Sequence, residues 1–223
     1  MDLLSNDALY KILLFVPPML LQLTVHEYAH ARVALAFGDP TAASLGRVSF
    51  NPLRHLDLVG TLAFILTQMV GWGKPVPVNP YNLHPPRLGE AMVSAAGPLS
   101  NLALAIVSGL LLHLVLWTGP VLPEAVFGSL FAMLYLSFVL NLAVCAFNLT
   151  PLFPLDGHHI LREILPPRMH PGYMHWQMRY GVTALVLLWV GPGLLHRAHM
   201  EVPNPMGWLL DHVIGAGLWV FRL

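Results

Sequence analysis

Residues 20–37 read LLQLTVHEYAHARVALAF, and this stretch decides the fold because a helix built from it is apolar on every side. On that helix His26 and His30 are four positions apart and share a face, so their imidazoles can bind one zinc ion. Glu27 follows the first histidine and can reach a metal-bound water as general base. HExxH occurs by chance in many soluble helices, but ionisable groups in an apolar span are functional candidates by default. The stretch predicts a zinc hydrolase site inside a membrane.

Composition indicates the same class of protein. The 223 residues are 56% hydrophobic and only 10% charged, with a mean hydropathy of +0.65, whereas soluble domains have about 25% charged residues. We therefore expect an integral membrane protein, and a soluble zinc protease is excluded. The formal net charge is zero and no basic run occurs, so no nucleic-acid partner is expected. Cys145 is the sole cysteine, which excludes an internal disulfide and a cysteine-based zinc site.

A helix that crosses the bilayer needs about 20 apolar residues, and six segments are candidates. They cover residues 8–37, 58–70, 88–117, 125–149, 176–195 and 206–221. In the first segment Pro17-Pro18 predicts a kink or the effective start, and Gly38-Asp39-Pro40 predicts the end. This segment lacks a basic start and a cleavage site, so we expect a retained helix rather than a signal peptide. The second segment is short and either spans with tilt or is re-entrant.

The predicted fold class is an all-α integral membrane protein with about six membrane segments. Prolines in residues 71–80 forbid a helix there and favour a short extended or hairpin loop. We expect one polytopic domain over residues 1–223, with a catalytic core at about 8–165 and C-terminal membrane segments at about 172–223. No internal repeat or appended soluble domain is evident.

Two histidines leave a catalytic zinc site incomplete, because such sites usually have three protein ligands plus water. The best third ligand is Asp156, which follows an apolar span where two prolines break the helix. The alternative is that Asp156 is the N-cap of a short helix starting at Gly157. His158 and His159 are rival ligands nearby, although they fit better as outer-shell or interfacial groups.

Several further motifs carry a resemblance to a known family. The sequence resembles the site-2 protease family of intramembrane zinc metalloproteases, in its small form without a PDZ domain, over about residues 8–165. The matching motifs are HEYAHA at 26–31, GDPTA at 38–42, GR at 46–47, NPL at 51–53, GKPVPVN at 73–79, GPLSN at 97–101 and NLTPLFPLDG at 148–157. One departure is His158-His159, where relatives often have glycine.

The resemblance implies a metalloendopeptidase with one Zn²⁺ per chain. His26, His30 and Asp156 correspond to the family's zinc ligands, and Glu27 corresponds to its catalytic base. Asn148 corresponds to an asparagine near the active site, and Asn101 matches a position thought to help hold substrate. The alternative for an amide in a membrane span is hydrogen bonding between helices.

The expected substrate is a single-span membrane protein, whose helix must unwind before its carbonyls can be attacked. The segment from Lys74 to Asn79 is a plausible edge for pairing with the extended substrate, with Lys74, Val76 and Val78 as binding residues. The alternative is a structural loop anchored by Trp72 at the interface. We expect a multi-pass protein of a prokaryotic cell membrane, in contact with the lipid bilayer.

A zinc or other metal-ion transporter is the main alternative, because intramembrane His and Asp also build ion pathways. A transporter would be expected to repeat its ligands across two halves, which this sequence does not do. An inactive membrane adaptor is a second alternative, and the intact Glu27 argues against it. If all six segments span, the excess of Lys and Arg on one side predicts cytoplasmic termini, and a re-entrant second segment would change that count.

Overall fold

The computed structural model describes residues 6–67, 71–192 and 204–221, and within them the chain is helical with no assigned strand. Nine α-helices are described: α1 Asn6–Ala36, α2 Thr41–Ser44, α3 Leu58–Thr67, α4 Pro86–Thr118, α5 Glu124–Asn148, α6 Asp156–Ile164, α7 His170–Trp176, α8 Val182–Trp189 and α9 Pro205–Phe221. A π-helical turn, Gln177–Gly181, joins α7 to α8. The predicted all-helical class is confirmed for this part of the chain.

In the described part of the chain, three helices are long and apolar enough to cross a membrane: Tyr10–Ala36, Pro86–Thr118 and Glu124–Asn148. They correspond to the first, third and fourth predicted segments. The last predicted segment is the shorter α9, and the fifth is divided between α7, the π turn and α8, with residues 193–195 outside the described part. In the second segment, α3 has ten residues and rises about 15 Å, half of a hydrocarbon core of about 30 Å. Residues 68–70 of that segment are not described.

Helix α1 runs through Pro17 and Pro18, so the prolines neither start nor interrupt it. It ends where the sequence predicts. Gly38 has a φ of 100°, a left-handed conformation that glycine adopts without a Cβ clash. The Gly38 N–H donates to the carbonyl of Leu35 and the Asp39 N–H donates to that of Ala34, which is the Schellman pattern of helix ends.

The C-terminal end of α1 packs against the N-terminal end of α4. Ala34, Leu83 and Val93 form a buried cluster there, with Phe37 packed against it. The His84 N–H donates to the Phe37 carbonyl at 2.8 Å. Residues 38–85 therefore leave α1 and return to α4 at the same end of the helix bundle, which we call the site end.

Further along the bundle, α4, α5 and α9 enclose a second apolar cluster. Ala105, Phe138 and Leu142 are its buried members, and Phe221 packs on Phe138 edge to face. Beside it, the hydroxyls of Ser108 and Ser137 form a hydrogen bond of 2.8 Å between α4 and α5. A polar pair of this kind holds two membrane helices together, because lipid offers neither hydroxyl a partner.

Residues 71–79 contain no helix, as the prolines predict. Gly73 forms an isolated antiparallel bridge with Leu56, and the Lys74 N–H donates to the His55 carbonyl at 2.7 Å. The guanidinium of buried Arg47 donates to the Lys74 carbonyl. We call residues 73–79 the extended segment, and these contacts hold its first half.

Asp39 holds the second half of the extended segment. Its carboxylate is fully buried and accepts hydrogen bonds from the Asn79 N–H at 2.7 Å, from the Asn82 side chain at 2.9 Å, and from the N–H and hydroxyl of Thr41. Burial opposes ionisation of Asp39, but these donors outweigh it and lower the pKa of the carboxyl below its ordinary value. The GDPT motif thereby joins the end of α1 to the extended segment.

We predict that Asp39→Asn lowers thermal stability at neutral pH. The amide has no charge and only one acceptor oxygen, so it cannot accept from both Asn79 and the Thr41–Asn82 side as the two carboxylate oxygens do, and a hydrogen bond to a charged group contributes about 1.5–3 kcal/mol. Because the folded-state pKa is lowered, this stabilisation is present above the ordinary carboxyl pKa of about 3.9 and is lost as the pH falls below it. The melting temperatures of wild type and variant in detergent should therefore converge below about pH 4. Asp211→Asn, at an exposed position, is the control, and a constant gap at all pH values would contradict the prediction.

Candidate metal centre and active-site cavity

Three side chains predicted as ligands converge at the site end. His26 and His30 are on adjacent turns of α1, and Asp156 is the first residue of α6. The two Nε2 atoms are 3.1 Å apart, and each lies 3.4 Å from Asp156 Oδ2. Among the described residues, these three form the one group of His, Cys, Asp or Glu side chains with metal-binding proximity.

These distances fit a tetrahedral metal ion. Zinc bonds to nitrogen and oxygen of about 2.0–2.1 Å place neighbouring ligand atoms about 3.3–3.4 Å apart. Asp156 Oδ2 is buried and accepts no hydrogen bond from any residue that the structure describes. A buried carboxylate oxygen without a donor calls for another positive partner, so the donor set fits Zn²⁺.

The structure does not show Asp156 as a helix N-cap, which was the alternative to a ligand role. The helix begins at Asp156 itself, Leu155 is the N-cap, and no side chain caps it. Burial opposes ionisation of Asp156, but the adjacent imidazoles of His26 and His30, when protonated, outweigh it and lower the pKa of the carboxyl. A positive charge at this position, from an imidazolium or a metal ion, favours the ionised carboxylate that a metal ligand requires.

The tautomers of both histidines are set by partners behind the rings. Nδ1 of His26 lies 2.6 Å from Asn101 Oδ1, and Nδ1 of His30 lies 2.7 Å from the Val93 carbonyl. Both partners accept hydrogen bonds, so each Nδ1 carries the proton and each Nε2 keeps a lone pair for a metal. The ring orientation is thus established by helix α4.

The role of Asn101 in substrate binding stays a prediction. Its side chain is fully buried, and its described hydrogen bonds are with His26 and with Asn141, to which it donates at 2.9 Å. Asn141 in turn donates to the Ser137 carbonyl at 2.8 Å. Sequence reasoning missed Asn141, although an amide within an apolar span is a signal that could have found it.

Gly97 provides the space in front of the two rings. A Cβ built on it would overlap His30 Nε2 and would lie 2.6 and 2.7 Å from Cε1 and Nε2 of His26. A side chain at this position of α4 would occupy the place where the two ligand nitrogens converge. The glycine of the GPLSN motif is therefore required by the site and not only by helix packing.

Glu27 lines a cavity that is also lined by His26, His30 and Asp156. Its carboxylate accepts a hydrogen bond of 3.2 Å from the Val76 N–H. The cavity has a volume of about 620 Å³ and lies between α1, α4, the end of α5, α6 and the extended segment. Predicted residues that line it are His26, Glu27, His30, Val76, Val78, Asn148 and Asp156. The three candidate metal ligands and a candidate base therefore line one cavity that is large enough for a short peptide.

Lys74 is not among the cavity-lining residues. Its described contacts are hydrogen bonds of its backbone N–H to the His55 carbonyl and of its carbonyl to the Arg47 guanidinium.

His159 lines the cavity, with Nδ1 3.5 Å from a carboxylate oxygen of Glu90. His158 is fully buried and stacks on Tyr173. Burial, together with the nearby charges of His159 and Arg162, lowers the pKa of His158 to about 4, so this ring is neutral at neutral pH.

We predict that Gly97→Ala abolishes zinc binding. The added methyl group displaces both rings from the distances that a tetrahedral ion requires. Zinc per chain, measured by mass spectrometry on the purified protein, should fall from about one to the level of the His26→Ala, His30→Ala double variant. Gly128→Ala is the matched control, because a Cβ there meets nothing within 4 Å. Full zinc content in folded Gly97→Ala would show that the space is not the metal position.

The chain is similar in sequence to proteins named as zinc metalloproteases. The sequence model of peptidase family M50 matches residues 119–188. The chain is 40% identical over 174 residues to a provisionally named zinc metalloprotease, YwhC of Bacillus subtilis, with 78% of each chain covered. It is 30% identical over 187 residues to a similarly named protein, Rip2 of Mycobacterium tuberculosis, covering 78% of this chain and 66% of the relative.

A more distant similarity, 24% identity over 171 residues, is to the zinc metalloprotease MJ0392 of Methanocaldococcus jannaschii, covering 77% of this chain and 39% of that one. The search of solved structures gave no significant match. The extent of the similarity to YwhC, together with the matching family model, shows that this chain belongs to peptidase family M50, the site-2 protease family.

Proposed function

We propose that this protein is a zinc-dependent endopeptidase that hydrolyses peptide bonds within or near the transmembrane helices of membrane-anchored substrates. The observation that carries the proposal is the position of Glu27 in the same cavity as the three convergent ligand atoms of His26, His30 and Asp156. Membership of a peptidase family and the names of the relatives support the reaction type.

His26, His30 and Asp156 hold the metal. When bound, zinc supplies Lewis-acid polarisation of the scissile carbonyl and acidifies the attacking water. Glu27 accepts the proton of that water and passes it to the leaving amine. The N–H of Val76 steadies the Glu27 carboxylate, because a backbone donor restricts the rotamers of the side chain that it contacts.

The extended segment supports a mode of substrate binding. In an extended chain, residues two apart present their N–H and C=O groups along the same edge. The Lys74 N–H at the start of this edge is taken by the His55 carbonyl, the Val76 N–H donates to Glu27, and both Val76 and Val78 line the cavity. In the described part of the chain the Val78 N–H has no hydrogen-bond acceptor. A substrate unwound from its helix can pair with this edge as an added strand.

We propose six membrane segments, in which α3 enters and leaves at the site end. The packing of the end of α1 against the start of α4 supports this topology, because the intervening residues begin and end on one side.

The distribution of basic residues supports an orientation. In this topology the site end carries most of the basic residues: Arg47, Arg54, Lys74, Arg87, Arg162 and Arg168. Lys11 lies at the opposite end. The positive-inside rule therefore puts the site end in the cytoplasm and the N-terminus outside, which revises the orientation expected from six full crossings.

We further propose a single polytopic domain in a prokaryotic cell membrane, a setting consistent with the bacterial and archaeal relatives. The expected partner is a single-span membrane protein. An ion transporter is the competing function, and the argument against it is the presence of a base beside the ligands. Ion passage needs no such base, whereas peptide hydrolysis does.

We predict that Glu27→Gln retains zinc but loses cleavage of a labelled single-span substrate in reconstituted vesicles. Glutamine keeps the shape of the side chain and can still accept the Val76 N–H, but it cannot take a proton from water. Because positioned acid–base groups contribute about 10²–10⁴-fold, the rate should fall by at least that order. Zinc flux is measured in the same vesicles. Cleavage that survives the substitution would refute the mechanism, and zinc flux without proteolysis by the wild type would favour a transporter.

We predict that single cysteines at Leu53 and Tyr81 are on the same side of the membrane and that one at Val121 is on the other. All three positions are exposed, and Cys145→Ser provides the cysteine-free background. A membrane-impermeant maleimide added to intact cells should label Val121→Cys only, while the other two require permeabilised cells. Six full crossings would instead place Leu53→Cys and Tyr81→Cys on opposite sides, so labelling of Leu53→Cys in intact cells would overturn the re-entrant topology.

A further inference from the structure

Asp156, the proposed third ligand, follows a short irregular segment. Hydrogen bonds from a helix further along the chain hold this segment in place. Residues 149–155 connect α5 to Asp156 and contain Pro151 and Pro154, so this segment offers few N–H donors and no helix of its own. His26 and His30 are fixed by α1 and by their partners on α4. The position of Asp156 relative to them depends on what holds residues 149–155.

Gln177 supplies that support on the N-terminal side of Asp156. Its side chain is 1% exposed. Its Oε1 accepts the Phe153 N–H at 3.0 Å, and its Nε2 donates to the Pro151 carbonyl at 2.8 Å. A single amide thus satisfies two backbone groups of the connecting segment, in a setting where unsatisfied polar groups are energetically costly.

Tyr173 supplies matching support on the C-terminal side. Its hydroxyl donates to the His158 carbonyl at 3.1 Å and lies 3.2 Å from His158 Nδ1. The ring stacks on the His158 imidazole with centroids 5.3 Å apart. Tyr173 and Gln177 are four residues apart and share one helical face, so they contact the chain on both sides of Asp156.

The helix geometry is adapted to this contact. Gln177 begins the π turn Gln177–Gly181, and such turns in α-helices are frequent at functional sites. A Cβ on Gly181 would lie 2.8 Å from Gln177 Oε1 and 3.0 Å from Phe153 Cβ. A larger residue at position 181 would therefore push the Gln177 amide and Phe153 apart.

We propose that Tyr173 and Gln177 are positioning residues for the metal site, acting through residues 151–158 to hold Asp156 at ligand distance from His26 and His30. We call this pair the Asp156 clamp. The proposal rests on the proposed role of Asp156 as a metal ligand. It extends the catalytic core beyond residue 165 into the C-terminal helices, which the sequence alone left without a role.

The test measures metal binding directly on the purified full-length protein. Gln177→Met keeps the side-chain volume and removes both hydrogen bonds, and Tyr173→Phe removes the hydroxyl alone. Tyr180→Phe is the matched control, because its hydroxyl is on the same helix at an exposed position. The readouts are Zn²⁺ affinity by competition with a chelator, the visible absorption spectrum of the Co²⁺-substituted protein, and the melting temperature of the metal-free protein.

Removing a group that orients a ligand typically weakens metal affinity about 10–100-fold. We expect a loss of that size in Gln177→Met, a smaller loss in Tyr173→Phe, and an altered Co²⁺ spectrum in both, with Tyr180→Phe unchanged. A lower melting temperature of the metal-free protein, with wild-type Zn²⁺ affinity and Co²⁺ spectrum, would overturn the clamp in favour of a purely structural role. If Gln177→Met does not fold, Tyr173→Phe decides by the same criteria.

Asp156→Asn separates this inference from the proposed function. Unchanged Zn²⁺ affinity in that variant would remove Asp156 from the ligand set, and the clamp proposal would fail with it. Weakened binding in Asp156→Asn together with wild-type binding in both clamp variants would overturn the clamp alone.

Discussion

The convergence of two imidazole nitrogens and one carboxylate oxygen within 3.4 Å is the constraint on which the rest of the structure depends. These atoms come from segments more than a hundred residues apart and meet among apolar helices. In such surroundings each polar group needs a partner, because water is not freely available to replace it. The chain therefore surrounds the ligands with groups that orient them or satisfy their hydrogen bonds.

Helix α4 provides most of the groups that surround the two histidines. Its N-terminal half offers Gly97 as open space in front of the rings and the Val93 carbonyl and Asn101 as acceptors behind them. Ala34 of α1 and Gly97 of α4 lie where these two helices meet, and small residues are the usual basis of close helix association in membranes. One face of one helix thus determines both the room in front of the two imidazole rings and their tautomers.

In the proposed mechanism, the extended segment connects metal chemistry to substrate binding. Arg47 and the His55 carbonyl hold its first half, Asp39 holds its second half, and between them the Val76 N–H meets Glu27. Pro75 and Pro77 have no N–H, and the N–H groups of Lys74 and Asn79 are bonded to the His55 carbonyl and to Asp39, so Val76 and Val78 offer the N–H groups on the cavity side. A peptide paired along that edge would lie beside Glu27, the proposed base. The same backbone edge would then position both the substrate and the group that transfers the proton.

The sequence by itself determined the membrane class, the three long helices, the end of α1 and the identity of the four central residues, because each depends on local composition, helical spacing or turn chemistry. Only the tertiary structure decided that 38–85 returns to the same end, because hydropathy counts apolar residues and not the direction of the chain. It also decided the buried contacts of Asn101, the part played by Asn141, and the contact of Tyr173 and Gln177 with the Asp156 segment. Those relations join residues that are 15 to 75 positions apart, and such proximity follows from helix packing, which no local pattern encodes.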